Sequence, residues 1–235
     1  MDFHDYVFAD PYFGWLLRGV AMTLLVTALT TVASLLLSFV VASWRLSPRT
    51  FWRAIGTAYV AIFRNLPPLP LLLFLLFGLP EAFRAVTGLP LPLGTEFPLL
   101  IAGLSLNTSA YLAETIRSGV RAVPAEQWDA GRVLGLPRRT VLRRIIYPQA
   151  LRIALPALGT RLIHNMKNST LALALPLSVN YLEVVGQAGR IAGQTFAWAE
   201  PLLFAAGVHM TLALSLGLVV SRLARRAELR VEVAR

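Results

Sequence analysis

The chain has 235 residues, of which 56% are hydrophobic and 14% charged, with a formal net charge of +10 and no cysteine. That composition is too apolar for a soluble domain of this length, and it excludes disulfides and thiolate metal sites. The basic residues fall in loops between apolar runs, not along one face with interleaved aromatics, which argues against a nucleic-acid groove and for contact with anionic lipid.

Residues 19–44 and 201–221 contain no Asp, Glu, Lys or Arg. Each run can cross a hydrocarbon core of ~30 Å at ~1.5 Å per residue. The predicted fold class is therefore all-α, a polytopic membrane protein with about five transmembrane helices. In chain order the spans fall at about residues 15–43, 54–80, 97–117, 156–178 and 201–222, within a single transmembrane domain, 1–235, with a long loop at 118–155. The first apolar run has no basic flank before it and no small-residue cleavage site after it, so it reads as a retained span. Trp15, Trp44, Trp52 and Trp198 sit near predicted ends, where amphipathic aromatics favour the interface.

Lys167 is the only lysine; the other basic residues are arginine. Arg45, Arg49 and Arg53 follow the first span. Arg117, Arg121, Arg132, Arg138, Arg139, Arg143, Arg144, Arg152 and Arg161 surround the long loop, and Arg222, Arg225, Arg226, Arg230 and Arg235 end the chain. Only Arg18, Arg84 and Arg190 lie on the other side. The positive-inside rule then puts the N-terminus outside and both the long loop and the C-terminus in the cytoplasm.

In the second span Arg64 lies eleven residues past Arg53, and in the fourth Lys167 lies eleven past Pro156. Both are thus expected ~16 Å into the bilayer, where a charge is costly and faces a cavity or a partner. Pro67, Pro68 and Pro70 predict an interrupted helix just beyond Arg64. Two cations from separate spans would attract the carboxylates of an acidic amino acid; alternatively Arg64 satisfies carbonyls freed by the prolines and Lys167 pairs with an acid or a helix end. Asn107, Thr108, Ser109 and Tyr111 form one intramembrane polar patch, and Asn168, Ser169 and Thr170 another. Either suits an ammonium or carboxylate, and small hydroxyls also join membrane helices. Glu114, three residues before Arg117, reads as a local ion pair or as a gate contact.

The long loop reads as two short helices. Pro124 suits a first helical position, and Glu126 in the first turn favours the positive helix end. Gly135 fits a left-handed cap, and Pro137 restarts a helix two residues later. Ala130 and Gly131 are small enough for a partner to approach closely. Arg138, Arg139, Arg143 and Arg144 give the second helix a basic face, and Pro148 and Pro156 are expected to limit the helices around them.

The ordered core of this loop, Asp129-Ala130-Gly131, Gly135, Ile145 and Pro148, resembles the EAA loop of permease subunits of binding-protein-dependent ABC importers. There E-A-A, three residues, G, nine residues, I, one residue and L-P recur. This chain departs in Asp129 for Glu, Gly131 for the second Ala and Tyr147 for Leu. Further segments resemble the polar amino acid subfamily: Ala58-Tyr59-Val60-Ala61-Ile62-Phe63-Arg64-Asn65 with Pro67, Ala113-Glu114-Thr115-Ile116-Arg117-Ser118-Gly119-Val120, Pro148-Gln149-Ala150-Leu151-Arg152, and Met166-Lys167-Asn168-Ser169-Thr170-Leu171-Ala172. Gln187-Ala188-Gly189-Arg190 and Phe196-Ala197-Trp198-Ala199-Glu200 look closest to glutamate/aspartate permease subunits.

The resemblance implies a non-catalytic transport subunit of a bacterial cytoplasmic (inner) membrane importer. Its 118–155 loop would be the coupling loop, with Glu126, Asp129, Ala130, Gly131, Gly135, Arg138 and Arg139 meeting an ATPase. The implied translocation path takes in Arg64, Asn107, Tyr111, Glu114, Lys167, Asn168, Ser169 and Thr170. Implied partners are two ATPase subunits, a second permease subunit (identical or related), an extracytoplasmic amino-acid-binding protein and membrane lipid. Permeases for neutral or basic amino acids such as glutamine, arginine or histidine share the Lys-Asn-Ser/Thr segment and remain the alternative.

The residues agree with a partner-driven device. No internal repeat is visible, so a two-fold pore needs a second subunit, and a stand-alone secondary carrier would show inverted repeats or a buried acid relay. No G-x-x-x-x-G-K-[ST] cradle occurs, so no cofactor is expected on this chain, and ATP with its Mg falls to the partner ATPase. No Ser-His-Asp or Gly-x-Ser-x-Gly pattern supports catalysis, and His4, His164 and His209 form no metal-ligand cluster.

Overall fold

The computed structural model describes residues 6–92, 94–174 and 181–232, and the side chains among them apart from Ala174 and residues 226–232. His4 and Arg235 lie outside the described residues, as do the side chains of Arg226 and Arg230. Every regular element among the described residues is helical, the fold class expected. Among the described residues four helices are long and apolar enough to cross a membrane: α1 (Tyr12–Arg45), α3 (Pro68–Thr87), α4 (Glu96–Ala122) and most of α9 (Ala199–Glu232). Between them lie α2 (Thr50–Asn65), α5 (Ala125–Val133), α6 (Arg138–Val141), α7 (Tyr147–Asn168) and α8 (Val184–Thr195).

The proline pattern explains where these helices break and where they do not. The second expected span, 54–80, is divided: α2 stops at Asn65, and α3 begins at Pro68 after Pro67 in extended geometry (ψ 140°). A residue before proline is pushed out of the helical region, and a proline at a first helical position costs no hydrogen bond. Pro148 and Pro156, by contrast, do not limit their helix. A wide π-helical turn, Leu142–Ile146, leads from α6 into α7, and α7 runs through Pro156. The widened turn gives the Pro148 ring room that a regular turn would deny it. Phe74–Gly78 is the same device ahead of Pro80. The fourth expected span, 156–178, thus begins earlier as α7, then tightens into a 3-10 turn at Ser169–Ala174; residues 175–180 lie outside the described residues.

The chain divides into two compact units. The first comprises Met1–Ala33, Leu66–Asn107 and Ile163–Leu214. Its core joins Val26 to Leu72, Leu76, Leu100, Leu104 and Ala172, with a second cluster of Leu16, Val184, Ala188, Ile191 and Ala205. Gly19 is required there, because a Cβ would lie 2.7 Å from the Val184 Cα. Several buried polar groups of this unit are paired with one another or with backbone carbonyls, as membrane burial favours. Thr23 and Thr30 return their hydroxyls to the carbonyls four residues back, and Asn165 donates to Thr30 at 2.8 Å and Thr31 at 3.3 Å.

The second unit comprises Ser34–Asn65, Thr108–Leu162 and Ser215–Arg235. Val41, Val60, Leu112, Ile116 and Leu158 form its main core, and Val120, Val123, Val141, Ile146 and Ala150 a smaller one beneath the loop helices. Gly159 lets α7 meet α9: a Cβ there would fall 2.1 Å from Val220.

Candidate functional site

The long loop holds one short helix, α5, joined by a sharp turn to α6; the expected second short helix instead continues through the π-helical turn into α7, and the first residues of the expected loop belong to α4. Pro124 is the residue before α5 (ψ 143°) rather than its first helical residue, and Glu126 lies in the first turn. Gly135 is left-handed (φ +67°). Its N–H donates to the Arg132 carbonyl at 2.9 Å, and Leu136 N–H donates to that of Gly131 at 3.0 Å, the paired bonds of a Schellman cap. Pro137 precedes α6 in extended geometry and starts it at Arg138. Gly131 is small for a reason inside the loop: it is buried, and a Cβ would lie 2.5 Å from Val141. The surface offered outward is instead Glu126, Asp129, Ala130, Arg138 and Arg139, all exposed. Asp129 reaches only Arg132, at 3.3 Å in full solvent, which contributes little stability. At the tip Val133 and Leu134 are 87% and 72% exposed. Sequence reasoning missed these two; two large apolar residues directly before a capping glycine were the available signal. A hollow of about 470 Å³ between α5 and α6 is lined by Trp128, Asp129, Arg132, Leu136 and Arg138.

At the α2–α3 break the freed carbonyls are satisfied, but not by Arg64. Within the second unit Tyr111 donates its hydroxyl to the Arg64 carbonyl at 2.9 Å. Within the first, Asn107 Nδ2 donates to the Leu66 carbonyl at 3.2 Å. The guanidinium groups of Arg64 and Arg161 lie over the Tyr111 ring, 5.2 and 4.3 Å from its centroid. Such stacking supports a cation away from water. Tyr59 and Ser109 share a hydrogen bond of 2.8 Å.

Glu114 forms the expected pair with Arg117 and a second one with Arg45 of α1. The three side chains are mostly buried. One carboxylate thus compensates two cations, so the acid is worth more than either arginine. Glu114→Gln is expected to lower the melting temperature of the detergent-purified chain more than Arg117→Gln does, because it strands two charges instead of none. Equal losses would show that the triad is not the unit of stability.

In the first unit Ser169 donates to the Met166 carbonyl at 2.7 Å and Thr170 to that of Lys167 at 2.8 Å. Both hydroxyls therefore close the end of α7 as it tightens. Lys167 is exposed, and with Thr170, His209, Met210, Ala213 and Leu214 it lines an open cavity of about 500 Å³. Asn168 is half-buried beside it in sequence. Lys167 and Arg64 belong to different units. Sequence reasoning missed His209 and the buried Glu183 behind it. A glutamate three residues before a helical glycine, opening a helix, was the readable sign of a cap. Among the described residues no group of acids, histidines or cysteines could hold a metal ion.

Residues 34–231 match the family model of the binding-protein-dependent transport system inner membrane component. The chain is 33% identical over 219 residues to the glutamate transport system permease protein GluC of Corynebacterium efficiens, covering 90% of this chain and 93% of that one. It is 34% identical over 195 residues to the arginine transport system permease protein ArgU of Corynebacterium glutamicum. That match covers 81% of this chain but only 61% of the relative, less than two thirds of its length. The probable glutamine ABC transporter permease protein GlnM of Bacillus subtilis is 30% identical over 216 residues, covering 92% and 94%. The crystal structure of an amino acid ABC transporter with histidines superposes with a TM-score of 0.82 at 28% identity, covering 96% of this chain and 99% of that one. With its apolar helices and with a family match across most of its length, the chain belongs to the binding-protein-dependent transport system inner membrane component family.

Proposed function

We propose that this chain is the transmembrane subunit of an ATP-driven importer that brings polar amino acids into the cytoplasm. The observation that carries this reading is the loop: a two-helix unit pinned by Gly135 that holds Val133 and Leu134 out in solvent beside Asp129. Exposed apolar side chains on a rigid support need a partner surface. The α5–α6 unit docks in a cleft of a separate ATPase, which supplies ATP hydrolysis, and passes its closure to the spans. A second permease subunit completes the pore, two ATPases sit below, and an extracytoplasmic receptor delivers the substrate. The N-terminus lies outside, and the loop and C-terminus lie in the cytoplasm. Coupling is then allosteric, two distant sites biasing one two-state assembly.

The amino acid class rests on relatives that carry glutamate, glutamine and arginine in their names. We favour acidic amino acids, because Lys167 lines the first unit's cavity and, among the described residues, no carboxylate does. The arginine relative favours the alternative, a permease for basic or neutral amino acids. Uptake of labelled glutamate in cells with and without the chain, competed by unlabelled aspartate, glutamine, arginine and histidine, separates the two. Loss of uptake that only acidic amino acids compete for supports the first reading. Unchanged glutamate uptake with lost arginine or histidine uptake establishes the second, and no change in any of them removes the importer reading.

A further inference from the structure

Glu183 is buried at 1% exposure immediately before α8, and its carboxylate is shared by three helices. It accepts the N–H of Val185 at 3.0 Å and of Gly186 at 2.8 Å, and faces the Thr23 hydroxyl of α1 at 3.4 Å. On its remaining side His209 of α9 places Nε2 at 4.0 Å, an ion-pair distance. Among the described residues this is the only basic group within that range of Glu183. The other nitrogen of the ring, Nδ1, lies 3.1 Å from the Ala205 carbonyl.

These contacts constrain where hydrogens sit. A carbonyl oxygen only accepts, so Nδ1 carries the hydrogen of that bond. In a neutral ring Nε2 then turns a bare lone pair toward the carboxylate, two acceptors face to face in a buried site, which is costly. Nε2 is buried and, among the described residues, has no hydrogen-bond partner. The conflict disappears with one added proton, held on either partner. Burial pushes the Glu183 carboxyl up, against the lowering effect of its backbone donors, His209 and Thr23.

His209 carries the pair to the wall of a cavity, with consequences for charge. His209 lines it with Lys167 and Thr170, while Glu183 stands behind His209. Lys167 is the other charged group facing His209 there; α1 contributes the uncharged Thr23. With the proton the pair is neutral and the cavity keeps the single positive charge of Lys167. Without it the wall gains a negative charge that offsets Lys167.

We propose that Glu183 and His209 hold one proton between them, and that this pair, by keeping the wall neutral, makes the Lys167 cavity a site for amino acids with anionic side chains. The selectivity half of this inference rests on the importer reading above; the proton half does not. His209 is therefore a specificity-determining residue and Glu183 a positioning residue that acts through it.

Two measurements test the halves separately. The chain has three histidines, so 15N-histidine labelling in detergent, with assignment by His164→Gln and His209→Gln, isolates the His209 ring. At pH 7 the wild-type ring should show a protonated Nδ1 and an Nε2 that is protonated or hydrogen-bonded. Glu183→Ala should turn Nε2 into a bare lone pair. A bare Nδ1 in the wild type, or an Nε2 unchanged by Glu183→Ala, overturns the pair whatever the chain transports. In the assembled transporter the KM for glutamate should rise roughly tenfold as alkaline pH removes the proton, the effect of about one added charge near a protein surface. Glu183→Gln, whose amide donates to Nε2 without a titrating proton, should abolish that rise. A KM rise that persists in Glu183→Gln, or competition by arginine as strong as by aspartate, overturns the selectivity role. Absence of any amino acid uptake beside the expected ring spectrum defeats the importer reading, and the selectivity half with it, while the proton pair stands.

Discussion

Gly135→Val abolishes ATP-driven uptake while leaving the chain inserted in the membrane, and Gly135→Asn keeps a large part of it. Gly135 holds φ +67°, and its N–H and that of Leu136 tie the turn to α5. An L-residue in the left-handed region costs ~1–2 kcal/mol, and a β-branched one more, whereas asparagine visits it readily. Nothing crowds the position, since no atom lies within 4 Å of a Cβ built there. The penalty is therefore conformational and falls on the angle between α5 and α6. The spans do not depend on it, so membrane insertion is the internal control. What is lost is the presentation of Val133, Leu134 and Asp129 to the ATPase. Uptake of a labelled amino acid, alongside membrane-fraction immunoblotting, reads both. Gly135→Val with normal uptake would remove this loop from the coupling mechanism, and Gly135→Asn as inactive as Gly135→Val would mean that bulk, not backbone angle, matters.

The contrast between Gly135 and Gly131 shows what a single sequence reveals. A glycine that stops a helix announces itself through the proline two residues later, and Gly135 behaves as those neighbours require. Gly131 carries no such local sign. Its smallness answers to Val141, ten residues on, and only the folded loop brings them together. The prolines divide in the same way. Pro67 and Pro68 divide a span because they are consecutive, Pro67 being held extended and Pro68 opening the next helix, while Pro148 and Pro156 are absorbed by a π-helical turn and a continuing helix. That distinction depends on whether neighbouring backbone can widen, which propensity does not encode. The two charge-free runs, by contrast, do fall within the long apolar helices α1 and α9, because lipid punishes every unpaired polar group.

The intramembrane polar residues show the same division more sharply. Their existence was legible and their employment was not. Tyr111 and Asn107 support the backbone at the α2–α3 break, Ser169 and Thr170 fasten the end of α7, and Glu114 holds two arginines. Apart from Arg117, three residues from Glu114 and readable as its partner, each of these partners lies far away in sequence or on a main-chain carbonyl, where residue type gives no hint. The residues that shape the first unit's cavity come from α7 with the 3-10 turn after it and from α9, more than thirty positions apart. Sequence reading paired Lys167 with Arg64 by depth alone, and the fold gives Arg64 an aromatic neighbour in the other unit.

Lys167→Met therefore has the largest expected effect on substrate recognition. Every other polar side chain of the expected path has a described structural contact except Asn168 and Lys167, and Lys167 is the exposed cation of the cavity. Methionine keeps the length and apolar stem of lysine while removing the ammonium, and the position is open enough to take it. A hydrogen bond to a charged group contributes about 1.5–3 kcal/mol. Its loss should raise the KM for an acidic amino acid by roughly 10- to 100-fold, each factor of ten being about 1.4 kcal/mol. Lys167→Arg should recover part of this, because it returns the charge with a different hydrogen-bond geometry. ATPase activity of the assembled complex without substrate should change little, since Lys167 and the α5–α6 loop lie in different units. Initial-rate uptake across substrate concentrations separates affinity from turnover. Unchanged KM in Lys167→Met would exclude direct contact between this residue and substrate. A fall in maximal rate at constant KM would place Lys167 in the conformational cycle instead of in recognition.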